Sequence, residues 1–208
     1  MITVVGSKDN KFNYIDAIRK PFYCESDPLN FYYNEYCGHL YNLEHLEEMG
    51  EDGFIGLEHY RRTFAKDGMP LDGDKIRTIL KDNDIIVKEK HGPYGNHTNL
   101  SVLSGCSRYH LNYMNEAIYA LNMFPELNKQ AYDTTHYGCN MFITTPDKYK
   151  VMIEEAKNYI DKLLPICKQQ SMISYFCETI ITPYLITKYN KNIYIGDVIY
   201  ESPIVNNG

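Results

Sequence analysis

The chain has 208 residues, 44% of them hydrophobic, with 21 basic and 27 acidic side chains and a formal net charge of -6. That supplies enough apolar material for a single domain over residues 1–208 with a real core, and the acidic balance excludes a surface built to neutralise a nucleic-acid backbone. No window approaches the ~18–20 consecutive apolar residues of a membrane span. Six cysteines, Cys24, Cys37, Cys106, Cys139, Cys167 and Cys177, are scattered without a C-x-x-C pair, which points to reduced thiols and a cytoplasmic location.

The apolar run Met1 to Val5 starts without a basic region and stops at Gly6, so it reads as a first strand opening into the polar loop "GSKDNKF" and not as a signal peptide. Ser26 or Asp27 is placed to cap a helix with Pro28 in its first turn, and Leu29, Tyr32, Tyr33, Tyr36, Leu40 and Leu43 follow at helical spacing. Gly50 and Gly53 then punctuate before a second strand, "FIGLEH". A short helix in "KIRTILKDND" leads to a third strand at Ile85 to Lys88.

Residues 92–107 are rich in Gly, Asn, Ser and Thr and read as a functional loop or lid. Its two sequons, at Asn96 and Asn99, read as idle without a secretory signal. Leu111, Met114, Ile118 and Leu121 mark a further helix. "CNMFITT" reads as a strand, and Thr145-Pro146-Asp147 starts the helix carrying Tyr149, Met152, Ile153, Ala156, Ile160 and Leu163. A last helix around Ile173 to Leu185 contains Pro183, which predicts a kink or split at Thr182. "NIYIGDVIYES" closes the chain as a hairpin or edge strand, and the polar "NNG" reads as a cut linker. Strands and helices that alternate in this way imply an α/β domain with a mainly parallel central sheet, whose ligands bind at the carboxyl ends of its strands.

The chemistry concentrates in "GLEHYRRTF". Glu58 and His59 offer an oxygen and a nitrogen to a divalent ion, and Arg61 and Arg62 offer guanidinium forks to phosphate oxygens. An acidic group followed by a basic pair at a strand end suits a metal-bridged diphosphate that gathers charge as it leaves; the plainer alternative is a surface strand end with ordinary salt bridges. Two competing acidic pairs, Asp72 with Asp74 and Asp82 with Asp84, stand in a turn and before a strand, where solvated or capping roles are the simpler reading. No P-loop, Rossmann, H-E-x-x-H or G-x-S-x-G pattern occurs. His39, His45, His91, His97 and His110 read as packing or surface residues. His136 and Asn140, beside a strand start, are placed to face a sugar. Glu178, among Phe176, Cys177, Ile180 and Ile181, is either paired, turned outward or poised as a base.

With "FYYNEYCGHLYNL", "GLEHYRRTF", "NDIIV", "CNMFI" and "YFCETIITPYL" in this order, the sequence resembles bacterial capsular and exopolysaccharide glycosyltransferases with a G-L-x-H-Y-R-R-x-F core, and in particular the N-terminal domain of a chlorella-virus glycosyltransferase. The resemblance implies a GT-A type nucleotide-sugar-binding α/β sandwich assisted by Mn2+ or Mg2+. That family departs from the usual D-x-D, and here Glu58-His59-Tyr60 fills the strand end. The expectation is a glycosyltransferase that moves a hexose or deoxyhexose from a nucleotide diphosphate, UDP foremost, to a glycan. Gly6, Ser7 and Lys8 lie near the nucleoside, Glu58 and His59 near the metal, Arg61 and Arg62 near the diphosphate, and Glu178 serves as base. The rival readings are a non-catalytic nucleotide-sugar or glycan module of a larger synthase and a metal-dependent phosphohydrolase.

Overall fold

A computed structural model describes residues 1–7, 9, 12, 14–24, 34–88, 97–106, 113–167 and 172–200. Strand β1 (Ile2–Gly6), buried throughout, lies parallel to β2 (Arg19–Tyr23) on one side and to β3 (Ile55–His59) on the other. Beyond β3 come β7 (Phe142–Thr144), β6 (Ile85–Val87) and β8 (Ile193–Ile195), giving the order β2-β1-β3-β7-β6-β8. Only β7 runs against its neighbours β3 and β6, so the sheet is mostly parallel, and the start of β7 falls at the carboxyl edge of the others. A smaller antiparallel leaf branches from β3: β4 (Arg62–Lys66) pairs with β5 (Met69–Pro70) and with β9 (Asp197–Tyr200).

The sheet separates two apolar layers. On one face Val5, Ile55, Leu57, Val87 and Phe142 pack against helices α1 (Cys37–Glu44), α7 (Pro146–Leu163) and the segment 172–189. On the other Ile2, Ile86 and Ile143 meet Phe64, Leu71 and helix α3 (Gly73–Asp82). Each fully buried Ile, Leu or Phe contributes about 1.5–3 kcal/mol of transfer free energy. Helix α1 approaches the sheet closely at Gly38, where a side-chain carbon would come within 2.5 Å of Val5 Cγ1.

The buried face of α1 is Cys37, Gly38, His39 and Asn42, whereas Leu40 and Leu43, expected to face the core, are only partly buried. A polar network explains the difference. Burial holds the His39 imidazole well below its ordinary range, at about 4, against the opposing pull of the Asn140 carbonyl. The neutral ring donates from Nε2 to Asn140 O (2.7 Å) and accepts at Nδ1 from the Tyr149 hydroxyl (2.6 Å). Asn42 Nδ2 donates to Tyr149 Oη and to Gly56 O, both at 3.0 Å, and the Thr3 hydroxyl donates to Asn42 Oδ1. His39 is thus a packing residue, as its lone position in the sequence implied.

Other expectations shift. Strands β2 and β4 replace what the sequence left as loop. Asn99–Cys106 forms a helix, α4, with Val102 and Leu103 buried, so this part of the expected lid is a packed element; 89–96 and 107 lie outside the described residues. Asn99 itself is buried and donates to Gln130 O and Thr135 O. The expected helix start at Ser26 to Tyr33 also lies outside them; the described part begins with the 3-10 turn Asn34–Tyr36. The last two strands are not a hairpin: β8 pairs with β6, and the chain then crosses to place β9 on β4. Asp72 caps α3 by accepting from Lys75 N (2.8 Å). Asp84 accepts from Lys148 Nζ and from the Lys191 and Asn192 amides. Asp72 and Asp84 therefore do structural work. Among the described residues no disulfide forms, and no helix is long and apolar enough to cross a membrane.

Candidate functional site

Successive residues of a strand point to opposite faces, and this parity divides the polar cluster at the end of β3. Ile55 and Leu57 belong to the larger core, so His59 continues on their side and Glu58 faces the other way. Glu58 is fully buried in a two-pronged ion pair: Arg19 Nε donates to Oε2 (2.8 Å) and Nη2 to Oε1 (3.1 Å), and the Phe64 amide donates to Oε1 (3.0 Å). Arg19 reaches Asp16 (2.9 Å) and Leu71 O (2.8 Å) with its other donors. Glu58 and His59 therefore do not converge on one ion, contrary to the expected pairing. Among the described residues no three His, Cys, Asp or Glu side chains gather as a metal site. Glu58, with both oxygens engaged by Arg19 and the Phe64 amide, does not fit a cation shared with His59.

On the His59 side the geometry is open. His59 Nε2 is 3.0 Å from Glu35 Oε1, and its buried Nδ1 has no partner. Burial opposes ionisation of Glu35, but the hydrogen bond and charge of His59 and the charge of Arg62 outweigh it and hold the carboxyl below its ordinary range. The chain reverses in a two-residue turn, Tyr60-Arg61, and pairs His59 with Arg62 across it. Arg61 is exposed at the tip, 5.6 Å over the Tyr60 ring, whereas Arg62 is half-buried and its Nε lacks a partner. The two arginines thus part company.

At the start of β7 the 3-10 turn Gly138–Asn140 carries two non-glycine residues in the left-handed region, Cys139 at φ 68° and Asn140 at φ 53°. Such residues cost ~1–3 kcal/mol each and persist where their surroundings over-determine them. Here Cys139 N donates to Glu178 Oε1 (2.7 Å), Thr182 Oγ1 donates to Asn140 Oδ1 (3.1 Å), and His39 holds the Asn140 carbonyl. Asn140, 1% exposed, thus has its polar groups turned inward. Glu178 stands on a π-helical turn, Cys177–Ile181, between α8 (Met172–Phe176) and α9 (Thr182–Tyr189). The wide turn has a cause in the sequence: Pro183 has no amide to donate to the preceding turn, so the helix loosens just ahead of it, with the Thr179 hydroxyl capping Tyr175 O (2.7 Å). The helix does not split at Thr182, which is itself helical (φ -60°, ψ -48°); it widens into the π turn just before that residue.

Burial, then the charge of Glu35, push the Glu178 carboxyl above its ordinary range, against the Cys139 amide and the charges of Arg62 and Lys88. Burial and Glu178 push the Cys139 thiol up to about 11, so it stays protonated. Lys88, at the exit of β6, and His136 are both buried beside this turn. Gly6 is buried at the end of β1 opposite Tyr23, Ser7 is half-buried, and Lys8 lies outside the described residues. Of the expected residues, His59, Arg62, Asn140 and Glu178 meet at one carboxyl edge; Glu58 and Arg61 do not join them. Glu35 and Lys88 were missed. Lys88 carries the same signal as the arginines, a basic side chain closing an apolar strand, whereas Glu35 lay unmarked inside an expected helix.

No curated protein matches the sequence. Among solved structures, the apo structure of the bifunctional glycosyltransferase WbbM superposes with a TM-score of 0.68 at 14% identity, a likeness of fold. The match covers 99% of this chain and 47% of that one, so the chain spans about half the length of WbbM. The model of the family described as a domain of unknown function, DUF4422, matches residues 26–187. The chain belongs to the DUF4422 family.

Proposed function

We propose that the chain is a glycosyltransferase domain that moves a hexose or deoxyhexose from a nucleotide-diphosphate sugar, UDP foremost, to a glycan hydroxyl. The observation that carries this reading is the meeting of Glu178, Arg62, Glu35 and His59 at the carboxyl edge of the sheet, around a turn held in left-handed conformation by the catalytic candidate itself. Ligands of open α/β sheets bind at that edge, and the fold likeness to a glycosyltransferase supports the reading.

In a direct displacement the acceptor oxygen attacks the anomeric carbon while its proton passes to Glu178. The bond from that carbon to the diphosphate oxygen breaks, and the electron pair leaves with the diphosphate beside Arg62. Gly6 and Ser7, at the end of β1, border the nucleoside, and the turn that contains Asn140, with His136 beside it, frames the sugar side. The resemblance implies Mn2+ or Mg2+; since Glu58 and His59 do not converge on one ion, no step here runs through a cation. A cytoplasmic location belongs to the same proposal.

A thermal-shift screen of UDP-, GDP- and dTDP-sugars with and without Mn2+, followed by detection of released nucleotide diphosphate, tests the reading. A ligand at 100 times its Kd stabilises by ~2.7 kcal/mol. Stabilisation by one nucleotide class and its release in the presence of a glycan are expected. Binding without release points to a sugar-binding module, and cleavage of simple phosphate esters to a phosphohydrolase.

A further inference from the structure

Arg62 and Lys88 arrive at the site from different strands, yet one aromatic ring joins them. The crossing from β8 to β9 carries Tyr200 opposite Arg62 in the ladder, with the Arg62 guanidinium 6.0 Å and the Lys88 ammonium 5.6 Å from the Tyr200 ring centre. Lys88 is only 3% exposed. Its ammonium lies at the left-handed turn: a side-chain carbon at Gly138 would sit 3.2 Å from Nζ, so glycine leaves that approach open. Both cations act on the Cys139 thiol and the Glu178 carboxyl. Gathering two like charges on one ring costs repulsion that the ring face offsets only in part. Glu35 and Glu178 answer some of that charge, yet the buried Arg62 Nε still has no hydrogen-bond partner.

We infer that Lys88 and Arg62, bridged by Tyr200, form a clamp for a diphosphate group, with Lys88 as a binding residue that the sequence motif did not mark. The inference rests on the proposed function and names the chain's own groups that take the diphosphate charge. Arg62 supplies directional N–H donors and Lys88 a compact charge. The leaving diphosphate would then lie within the reach of the same two cations that act on Glu178.

Isothermal titration of wild type and Lys88→Met with UDP, inorganic pyrophosphate and uridine, in EDTA, tests the clamp. Roughly tenfold or greater loss is expected for UDP and pyrophosphate, with uridine unchanged, because a charge-assisted contact is lost. Equal UDP and pyrophosphate affinities in the two proteins overturn the clamp, as does a wild type that binds neither. If Lys88→Met does not fold, judged by circular dichroism, Tyr200→Leu takes its place, with the same loss expected and unchanged affinity again overturning it. Pyrophosphate binding that depends on Lys88 in a protein that transfers no sugar sustains the clamp and removes the glycosyltransferase reading; sugar transfer with a Lys88-independent Kd does the reverse.

Discussion

On one side of the end of β3, Glu58 lies under Arg19 with both oxygens engaged and no exposure, whereas on the other side His59 touches a half-exposed Glu35 and leaves its second nitrogen without a partner. The residues are adjacent in sequence. The difference teaches that polar density at a strand exit is not yet a site: a closed network holds structure, and an open one has capacity left for a ligand. The sharpest break of the comparison is on the closed face. Glu58→Ala leaves Arg19 buried beside Asp16 alone and should cost ~3–5 kcal/mol in urea unfolding, the usual result of removing one partner of a buried pair. A small loss of stability there would mean that the pair is not what braces the leaf to the sheet.

The open face should respond in the opposite manner. Glu178→Gln keeps the side-chain oxygen that the Cys139 amide binds, so the melting temperature and donor affinity should stay near wild type while transfer falls ~100-fold or more. Transfer that survives places the base elsewhere. The arginines sharpen the contrast further. Arg62→Ala should weaken UDP binding about tenfold and more than Arg62→Lys does, whereas Arg61→Ala, at an exposed turn tip, should change it little. Equal losses at both positions would return the motif to its undivided form.

The smallest effect is electrostatic. Glu178 must be ionised to accept a proton, and its carboxyl is raised by burial and by the charge of Glu35. Glu35→Gln removes that charge while keeping an oxygen for His59, so the acid limb of the transfer rate should move to lower pH. The limb stays in place if Glu35 does not act on Glu178.

What the sequence disclosed follows the same logic of faces and pairings. Strands β1 and β3 and helix α7 were legible because each is a local pattern: an apolar run stopped by polar residues, or a helical period behind a Thr-Pro start. Strand β2 was not, since "RKPFY" has Pro21 and two exposed residues on an edge. Strand β4 exists through its pairing with β9, more than a hundred residues away, and no local signal announces such a partner. The division of Glu58 from His59 was hidden for a related reason. A strand buried on both faces reads as apolar throughout, so its parity becomes visible only when neighbours such as Leu57 and Phe64 are assigned to their separate layers. Glu178 is conspicuous as a carboxylate among apolar neighbours; Glu35, next to the polar Asn34 inside an expected helix, carries no such mark.

Amide chemical-shift mapping of the 15N-labelled chain with UDP bears most directly on the claim that the open face, and not the closed one, receives the ligand. Perturbations concentrated at His59 to Arg62, Lys88, Gly138 to Asn140 and Glu178, fading toward Arg19 and Leu71, are the predicted result. Perturbations centred on the separate cleft lined by Asn115, Tyr119 and Ile166, or no saturable change at any position, would contradict the account.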